Sequence, residues 1–273
     1  MTGGPVPASC DVLVPTRDRP GALAVTLAGL AGQSAPPTRV IVADQSSRPA
    51  RDDPLVAAMV RVLEQHGARV EIHERATRRG MAEQRSFLLE QSTAATVLTL
   101  DDDVWLEPWA LATMQRALQD LGCGFVGMAV QGLSYRSDRR PHELASYEPW
   151  TGPVTPETVL PGEPAWQRHT LHNAANLVHL AADVGATPQQ WVPYRVAWIG
   201  GCALFSRAAL ESVGGYSFWP QLPTVHSGED VLTQLRVMRR YGAAGILPSG
   251  AVHLELPTTV ADRSHEAYRL IRP

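Results

Sequence analysis

The stretch ATVLTLDDDVWLEPWALATMQRALQDLG, residues 95–122, joins a short apolar segment to a helical pattern through three consecutive aspartates. ATVLTL is a run of apolar and β-branched residues, which predicts a buried strand. PWALATMQRALQDLG has apolar residues at helical spacing, begins with Pro108 and ends with Gly122, which is typical of a helix. The stretch therefore predicts a strand–turn–helix unit, with aspartates 101–103 at the carboxyl end of the strand.

The same alternation of strand and helix extends upstream to residue 10. Apolar runs predict strands at CDVLVPT (10–16), TRVIVADQSS (38–47) and ARVEIHE (68–74), and helical spacing predicts helices at GALAVTLAGLAGQ (21–33), PLVAAMVRVLEQHG (54–67) and MAEQRSFLLEQS (81–92). Strict alternation is typical of a parallel sheet with helices on both faces. The polar segments PTRDR, ADQSS, ERATRRG and DDDVW follow the four strands, so they should meet at one edge of the sheet, where such folds bind ligands.

Downstream of residue 122 the pattern becomes irregular. The predicted elements are a strand at FVGMAV (125–130), a long connection over 131–197 with one helix around HNAANLVHLAADVG (172–185), a strand and short helix in VAWIGGCALFSRAALESVGGY (196–216), an amphipathic helix at SGEDVLTQLRVMRRYG (227–242), and a closing strand pair or hairpin at AGILPSGAVHLE (244–255). Connections as long as 131–197 are usually functional or mobile.

Length and charge narrow the class of protein. A chain of 273 residues with 44% apolar residues fits one large α/β domain or two small ones. The net charge of −3 predicts no binding to nucleic acid or anionic lipid. All 24 Lys and Arg positions are arginine, so each of these cations is a guanidinium, which suits bidentate phosphate binding.

The cysteine pattern and the hydropathy of the chain indicate the cellular compartment in which we expect the protein. The three cysteines are scattered and form no CxxC pair, which favours a reduced, cytosolic protein. MTGGPVPASC has no basic region followed by an apolar run, so we expect no signal peptide. No apolar run approaches the ~20 residues that span a bilayer. We therefore expect a cytoplasmic protein without a transmembrane segment, with peripheral association with the membrane left open.

The three aspartates have two interpretations on their own. Side chains alternate along a strand, so Asp101 and Asp103 should share one side with Asp102 on the other, and two carboxylates together suit a hard divalent cation. Acidic residues also stabilise the amino end of a following helix. Under the first interpretation, Asp102 should tolerate replacement best.

Seven motifs, taken in order, resemble those of the family 2 glycosyltransferases. They are the first strand and helix (VLVPTRDRPGALAVTLAGLAGQ), the second strand (VIVADQSS), the Gly–Ala–Arg helix (RRGMAEQRSFLL), the D-x-D strand end (LTLDDDVWLEP), the Gly-Gly stretch (WIGGCALFSRAALESVGGY), the E-D helix (GEDVLTQLR) and the closing strand (ILPSGAVHLE). Together they cover most of residues 10–255, whereas residues 131–197 match no motif of the family.

The resemblance implies a single α/β domain over residues 1–273 with the GT-A fold, a Rossmann-like and mostly parallel sheet with a smaller mixed subregion on the acceptor side. It implies a nucleotide-sugar-binding half at 8–123, an acceptor-binding and catalytic half at 124–260, and a variable acceptor-side insertion at 131–197. The implied reaction transfers a sugar, with inversion, from a nucleotide-diphosphate sugar to an acceptor nucleophile. A divalent cation, Mn²⁺ or Mg²⁺, would stabilise the leaving diphosphate.

The resemblance also implies roles for individual residues. It suggests Asp103, Asp101 and His253 as metal ligands. Asp230 is the expected general base, and Glu229 assists beside it. A lone His after a strand is often structural, and carboxylates in the first turn of a helix are often there because of the helix dipole.

The remaining implied contacts are with the two substrates. The residues expected at the nucleotide are Thr16, Arg17, Asp44, Arg79, Arg85, Asp101 and Asp102, and those expected at the acceptor or sugar are Trp198, Gly200 and Gly201. Gln45 departs from the acidic or Asn residue often found there in the family. For His226, a substrate contact and a loop-surface position both remain open.

Three functions compete at this point. The first is glycosyl transfer to a small-molecule, glycan or glycolipid acceptor. The second is nucleotidyl transfer to a sugar phosphate, although PTRDRPGA lacks the Gly-rich basic loop that holds a nucleoside triphosphate. The third is a non-catalytic GT-A scaffold that binds a saccharide.

Overall fold

The computed structural model describes residues 9–260 and 262–273. Residues 1–8, where we expect no signal peptide, lie outside this range. The strands are β1 (Cys10–Thr16), β2 (Arg39–Asp44), β3 (Arg69–Glu74), β4 (Thr96–Leu100), β5 (Val104–Leu106), β6 (Phe125–Gly127), β7 (Val192–Tyr194), β8 (Cys202–Ser206), β9 (Ala243–Leu247) and β10 (Ala251–His253).

The α-helices follow the strands closely in the first half of the chain. They are α1 (Pro20–Ala31), α2 (Pro54–Gln65), α3 (Met81–Gln91), α4 (Ala110–Leu121), α5 (Pro141–Leu144), α6 (Asn176–Val184), α7 (Arg207–Ser212), α8 (Glu229–Tyr241) and α9 (Ala267–Leu270). Short 3₁₀ segments lie at Ala50–Asp52, Leu133–Tyr135, Pro164–His172 and Trp219–Gln221. The alternation predicted for residues 10–122 is confirmed.

The large sheet is mostly parallel, as predicted. Its strands in the described part of the chain are ordered β3-β2-β1-β4-β8-β6-β9-β7. The pairs from β3 to β4 are parallel and β6 pairs in parallel with β9, whereas β8 is antiparallel to β4 and β6, and β7 is antiparallel to β9. The mixed pairing lies in the second half of the chain, as expected for the acceptor-side subregion.

Strand register brings the polar segments to one edge. Thr16 at the end of β1 lies beside Asp44 at the end of β2, which in turn lies beside Glu74 at the end of β3. In β4, Thr99 pairs with Leu13, so the aspartates after β4 lie level with the end of β1. The parallel register therefore gathers the four polar strand ends, as the sequence predicted.

Helices cover both faces of this sheet. In β1, Val12 and Val14 join one apolar cluster with α1 and α4, whereas Leu13 joins the opposite cluster with α3 and α8. Every residue of β1 is buried, as expected for a parallel strand covered on both faces. The two cores hold the sheet edge rigidly, so the side chains at the strand ends have a fixed frame.

The predicted hairpin over 244–255 is wrong, because its two strands lie in different sheets. β9 is buried between β6 and β7, and β10 instead pairs antiparallel with β5. In that small sheet His253 lies opposite Val104, and the Leu254 N–H donates to the Asp103 carbonyl at 2.9 Å. The pairing of β10 with β5 therefore brings His253 next to the aspartate turn.

The connection over 131–197 is more structured than predicted. The expected helix is α6, which ends at Gly185 in the left-handed conformation. The segment also contains α5, two 3₁₀ segments and β7, which forms the outer strand beside β9. Within the described residues, no helix is long and apolar enough to cross a membrane.

Candidate active site

A cavity of about 820 Å³ opens at the carboxyl edge of the sheet. Its walls include most of the predicted site residues: Thr16, Arg17, Arg85, Asp101, Asp102, Asp103, Trp198, Gly200, Glu229, Asp230 and His253. The structure thus gathers residues from β1, α3, the turn after β4, α8 and β10 around one space.

The aspartates do not alternate as an extended strand would. Because β4 ends at Leu100, the three residues lie in a turn. Asp101 accepts a hydrogen bond from Arg85 Nη2 at 2.9 Å, whereas Asp102 and Asp103 share the guanidinium of Arg19. The expectation that Asp102 turns away from Asp103 is therefore wrong, whereas a joint role of Asp101 and Asp103 as metal ligands stays a prediction.

Asp102 is the most enclosed of the three aspartates. It is 2% exposed, and its Oδ2 accepts a hydrogen bond from Thr16 Oγ1 at 2.6 Å. Burial raises the pKa of Asp102 to about 6, against the opposing effects of the Thr16 hydroxyl and the Arg19 charge. Thr16 and Asp102, both expected at the nucleotide, therefore fix the turn to β1.

Asp103 and His253 approach each other from two different strands. His253 Nε2 lies 3.6 Å from Asp103 Oδ2. The Glu255 N–H donates to His253 Nδ1 at 2.9 Å, so the neutral ring carries its proton on Nε2, facing Asp103. Coordination of a metal ion through Nε2 requires this tautomer to change.

The donor set fits a divalent cation that is completed by a substrate. Carboxylate oxygen and imidazole nitrogen are both ligands of Mn²⁺, and Mg²⁺ commonly takes one or two carboxylates together with phosphate oxygens and waters. Over residues 9–260 and 262–273, no three His, Cys, Asp or Glu side chains form a metal-binding group. Because Asp101 is hydrogen-bonded to Arg85, Asp103 and His253 are the two side chains that best fit a divalent cation.

Arg85 connects the aspartate turn to α8. It is 7% exposed, and its Nε donates to Glu229 Oε1 at 3.0 Å while its Nη2 binds Asp101. The sequence placed Arg85 at the diphosphate or base. The structure commits two of its donors to carboxylates, so Arg85 positions acidic groups of the cavity, and its contact with the diphosphate or base stays a prediction.

The surroundings of Asp230 strongly shift the pKa of its carboxylate. Its Oδ1 accepts the Val231 N–H at 2.9 Å in the first turn of α8. Burial and then the neighbouring Glu229 charge raise the pKa of Asp230 to about 7, and the Arg85 charge opposes them. A carboxylate with a pKa near neutrality in a cavity is suited to accepting a proton.

Three predicted site residues do not line the cavity. Asp44 is buried, and its two oxygens accept the N–H groups of Ser46 and Ala50 at 2.8 and 2.6 Å, so it shapes the loop after β2. The Arg79 guanidinium lies 5.8 Å from the centre of the Trp219 ring. The neighbouring Gln45 and Arg78 line the cavity in their place.

Gly201 is the third predicted site residue that does not line the cavity, and its role is in the backbone conformation. Its φ of +76° belongs to the left-handed region that favours glycine. Its carbonyl accepts the Asp101 N–H at 2.9 Å. Gly201 therefore helps to hold the aspartate turn, whereas Gly200 faces the cavity.

His226 is an internal link, although it also borders the cavity. It is 3% exposed, its Nε2 accepts the Ala82 N–H at 3.1 Å, and its Nδ1 donates to the Pro223 carbonyl at 2.7 Å. These partners assign the neutral tautomer, and burial lowers the pKa of the ring. His226 thus fastens the loop before α8 to the start of α3.

Aromatic side chains form the wall beside α8. The His169 and Trp198 rings are 5.1 Å apart, and Trp166 lies 5.8 Å from Trp198 and 5.2 Å from Tyr268. Sequence reasoning missed His169 and Tyr268 as cavity residues. The abundance of Trp, His and Tyr in 131–197 was the available signal, but it does not say which rings face the cavity.

This aromatic wall consists of His169, Trp198 and Tyr268, which line the cavity, and of Trp166, which packs against Trp198 and Tyr268. It is joined to the helix that carries Asp230. The Tyr268 ring packs on Gly228, where an added Cβ would lie 2.8 Å from the ring. Ile199 exchanges two hydrogen bonds of 2.7 Å with the Gln234 side chain. The wall and the Asp230 carboxylate therefore belong to one rigid unit.

Solved structures share this fold at low sequence identity. A segment of S. aureus TarS, residues 1–349, has a TM-score of 0.58 and 16% identity, over 90% of this chain and 60% of that one. The mannosyltransferase PcManGT from Pyrobaculum calidifontis, solved with GDP-Man and Mn²⁺, gives 0.57 and 17%, over 94% and 59%. TarS with UDP-GlcNAc gives 0.55 and 16%, over 92% and 60%.

The likeness confirms the GT-A fold, and this chain spans about 60% of the length of these structures. No curated relative matches the sequence. The profile of Glycosyl transferase family 2 matches residues 11–180, which is more than half of the chain. The family match and the fold together show that the chain belongs to glycosyl transferase family 2.

Proposed function

We propose that this protein transfers a sugar from a nucleotide-diphosphate sugar to an acceptor nucleophile, with inversion of the anomeric configuration and with a divalent cation. The observation that carries the proposal is the position of Asp230, a carboxylate of raised pKa, in the same cavity as the Asp103–His253 pair. A proton acceptor and a candidate diphosphate-neutralising group thus face one space.

Asp230 is the proposed general base. In-line displacement requires the acceptor hydroxyl to lose its proton as it attacks, and a carboxylate with a pKa near the working pH does this efficiently. The Val231 N–H orients the carboxylate, and Arg85 holds Glu229 beside it. Glu229 therefore acts on the electrostatics of Asp230, in addition to the acceptor contact that the resemblance implies.

Asp103 and His253 would hold the divalent cation, Mn²⁺ or Mg²⁺. When bound, such an ion supplies Lewis-acid neutralisation of the diphosphate leaving group. The complex of PcManGT with GDP-Man and Mn²⁺ supports this choice. The free face of Asp101, whose side chain is 39% exposed, is available to a ribose hydroxyl.

The donor belongs to the first half of the chain and the acceptor to the second. Arg17 and Gln45 border the cavity at the nucleotide side, and Arg17 makes only an exposed ion pair with Asp18 at 3.4 Å. The aromatic wall is the proposed acceptor platform, because aromatic faces stack on apolar ring faces. We keep the halves at 8–123 and 124–260 as part of the proposal, with Tyr268 lying beyond the second half.

Product analysis tests the proposal. The protein is incubated with Mn²⁺ and a panel of UDP and GDP sugars and candidate acceptors, and products are identified by NMR. We expect a nucleoside diphosphate and a glycoside of inverted configuration. Pyrophosphate release in a parallel incubation with UTP or GTP and a sugar 1-phosphate would indicate nucleotidyl transfer, and a retained configuration would contradict the in-line role of Asp230.

A further inference from the structure

Arg19 occupies an unusual position at the aspartate turn. It lies immediately before α1, yet its guanidinium reaches across to the turn after β4 and bridges two carboxylates. Nη1 donates to Asp103 Oδ2 at 2.7 Å, and Nη2 pairs with Asp102 Oδ1. The side chain is only 20% exposed, so water screens these contacts weakly.

Asp103 Oδ2 is the atom for which Arg19 and a bound cation would compete. It accepts the Arg19 hydrogen bond and also faces His253 Nε2 at 3.6 Å. Two groups of the chain itself therefore already surround the oxygen that would coordinate a cation. A divalent ion bound to Asp103 would lie close to the Arg19 guanidinium. Two positive charges so close together repel strongly in a partly buried site.

Arg19 also has a donor without a partner. Its Nε is buried and has no hydrogen-bond partner among residues 9–260 and 262–273, although the side chain borders the cavity. A guanidinium binds phosphate oxygens bidentately, so a diphosphate in the cavity would satisfy this atom. Asp102 would keep its bond from Thr16 when Arg19 changes partner.

We propose that Arg19 is an internal counter-cation that competes with the divalent ion for Asp103, so that the metal binds tightly only together with a diphosphate. The inference rests on the proposed function, because it assumes that Asp103 is a metal ligand. Arg19 acts as a positioning residue for Asp103. As a result of this competition, the site binds the divalent ion weakly when no diphosphate is present.

The chain supplies a matched control in Arg17. Arg17 lies on the same loop, borders the same cavity and has the same charge. In the part of the chain that the structure describes, its ion pair is with Asp18, and its side chain is 48% exposed. Replacing Arg17 changes the net charge of the loop as much as replacing Arg19 does. Any difference between the two variants therefore reports the contact with Asp103.

The experiment measures Mn²⁺ binding directly, without turnover. The electron paramagnetic resonance signal of free Mn²⁺ is titrated with wild-type protein, Arg19→Gln and Arg17→Gln in the absence of nucleotide, after circular dichroism confirms that each is folded. We expect Arg19→Gln to bind Mn²⁺ roughly tenfold more tightly than wild type, because a repelling charge is removed. Arg17→Gln should match the wild type.

A second measurement tests the link to the diphosphate. UDP and GDP are titrated calorimetrically with and without saturating Mn²⁺, and the ratio of affinities gives the coupling, which is reciprocal for the two ligands. The wild type should show a larger coupling than Arg19→Gln by about the same tenfold factor as the first experiment. Arg19→Met serves as a second variant if Arg19→Gln does not fold.

The possible outcomes distinguish a failure of the inference about Arg19 from a failure of the proposed metal-dependent function. Equal Mn²⁺ affinity and equal coupling in wild type and the Arg19 variants would overturn the role of Arg19 but leave a metal-dependent enzyme. Failure of the wild type to bind Mn²⁺ even with UDP or GDP would contradict the metal-dependent function, and the inference with it.

Discussion

At the residue scale, Asp230 is the group whose chemistry is most sharply defined. Asp230→Asn removes the proton acceptor but keeps the size of the side chain. We expect transfer to fall by about 10²–10⁴-fold, while calorimetry shows unchanged donor binding. Asp183→Asn, in an exposed ion pair with Arg139, is the control and should keep wild-type activity. Transfer near the wild-type rate in Asp230→Asn would place the base elsewhere.

Asp102 yields the second prediction at this scale, and it reverses the expectation from alternation. Asp102→Ala removes the acceptor of Thr16 and leaves the Arg19 guanidinium without one of its two carboxylates. We expect the free energy of unfolding to fall by about 2 kcal/mol in urea denaturation.

The control for Asp102 is Asp183→Ala, which breaks an exposed ion pair and should change the free energy of unfolding by less than ~0.5 kcal/mol. If Asp102→Ala proved as stable as this control, the buried hydrogen bonds of Asp102 would contribute nothing net to stability.

At the scale of elements, Arg85 couples the turn after β4 to the amino end of α8. Its charge lowers the pKa of Asp230, which burial and Glu229 raise. Arg85→Met removes that charge, so the pKa of Asp230 should rise further. Because the ionised form is the base, activity is lost as pH falls through this pKa, and the acidic limb of the kcat/KM profile should move to higher pH.

The matched control for Arg85 is Arg79→Met, because Arg79 precedes the same helix but contacts the Trp219 ring outside the cavity. Its pH profile should coincide with that of the wild type. An Arg85→Met enzyme that loses rate equally at every pH would mean that Arg85 only supports the fold, since a purely structural loss does not move the limb.

At the scale of the whole molecule, ligand binding should appear as stability. We expect a nucleoside diphosphate with Mn²⁺ to bind only the folded cavity, which would stabilise the protein by about 2.7 kcal/mol at a hundred times its Kd. For a chain of this size we expect Tm to rise by roughly 5 °C in a thermal-shift assay.

Asp103→Asn should lose the part of this shift that depends on Mn²⁺, whereas Asp120→Asn, on the exposed face of α4, should keep it. A full Mn²⁺-dependent shift in Asp103→Asn would exclude Asp103 as a ligand. The assay therefore tests the metal assignment independently of any acceptor.

Local pattern was sufficient for the first half of the fold. In residues 10–122 the four strands of the large sheet are short apolar runs and the helices between them were predicted from helical spacing, so each of these elements could be predicted from its own segment. Parallel pairing then placed the polar ends together. β5 escaped prediction, because a three-residue strand in VWL has no periodicity. β10 was predicted as a strand but with the wrong partner, since pairing joins segments far apart in the chain.

The sequence by itself determined the α/β class and the edge of the sheet at which the cavity lies, because these follow from local hydrophobic periodicity and strand direction. The roles expected of the acidic and histidine residues came from the resemblance to family 2 glycosyltransferases. Only the tertiary structure decided which groups meet: Arg85 with Asp101 and Glu229, Arg19 with Asp102 and Asp103, and His253 with Asp103. The physical reason is that β4 ends before the aspartates, so side-chain direction there is set by contacts with distant segments and not by the alternation of a strand.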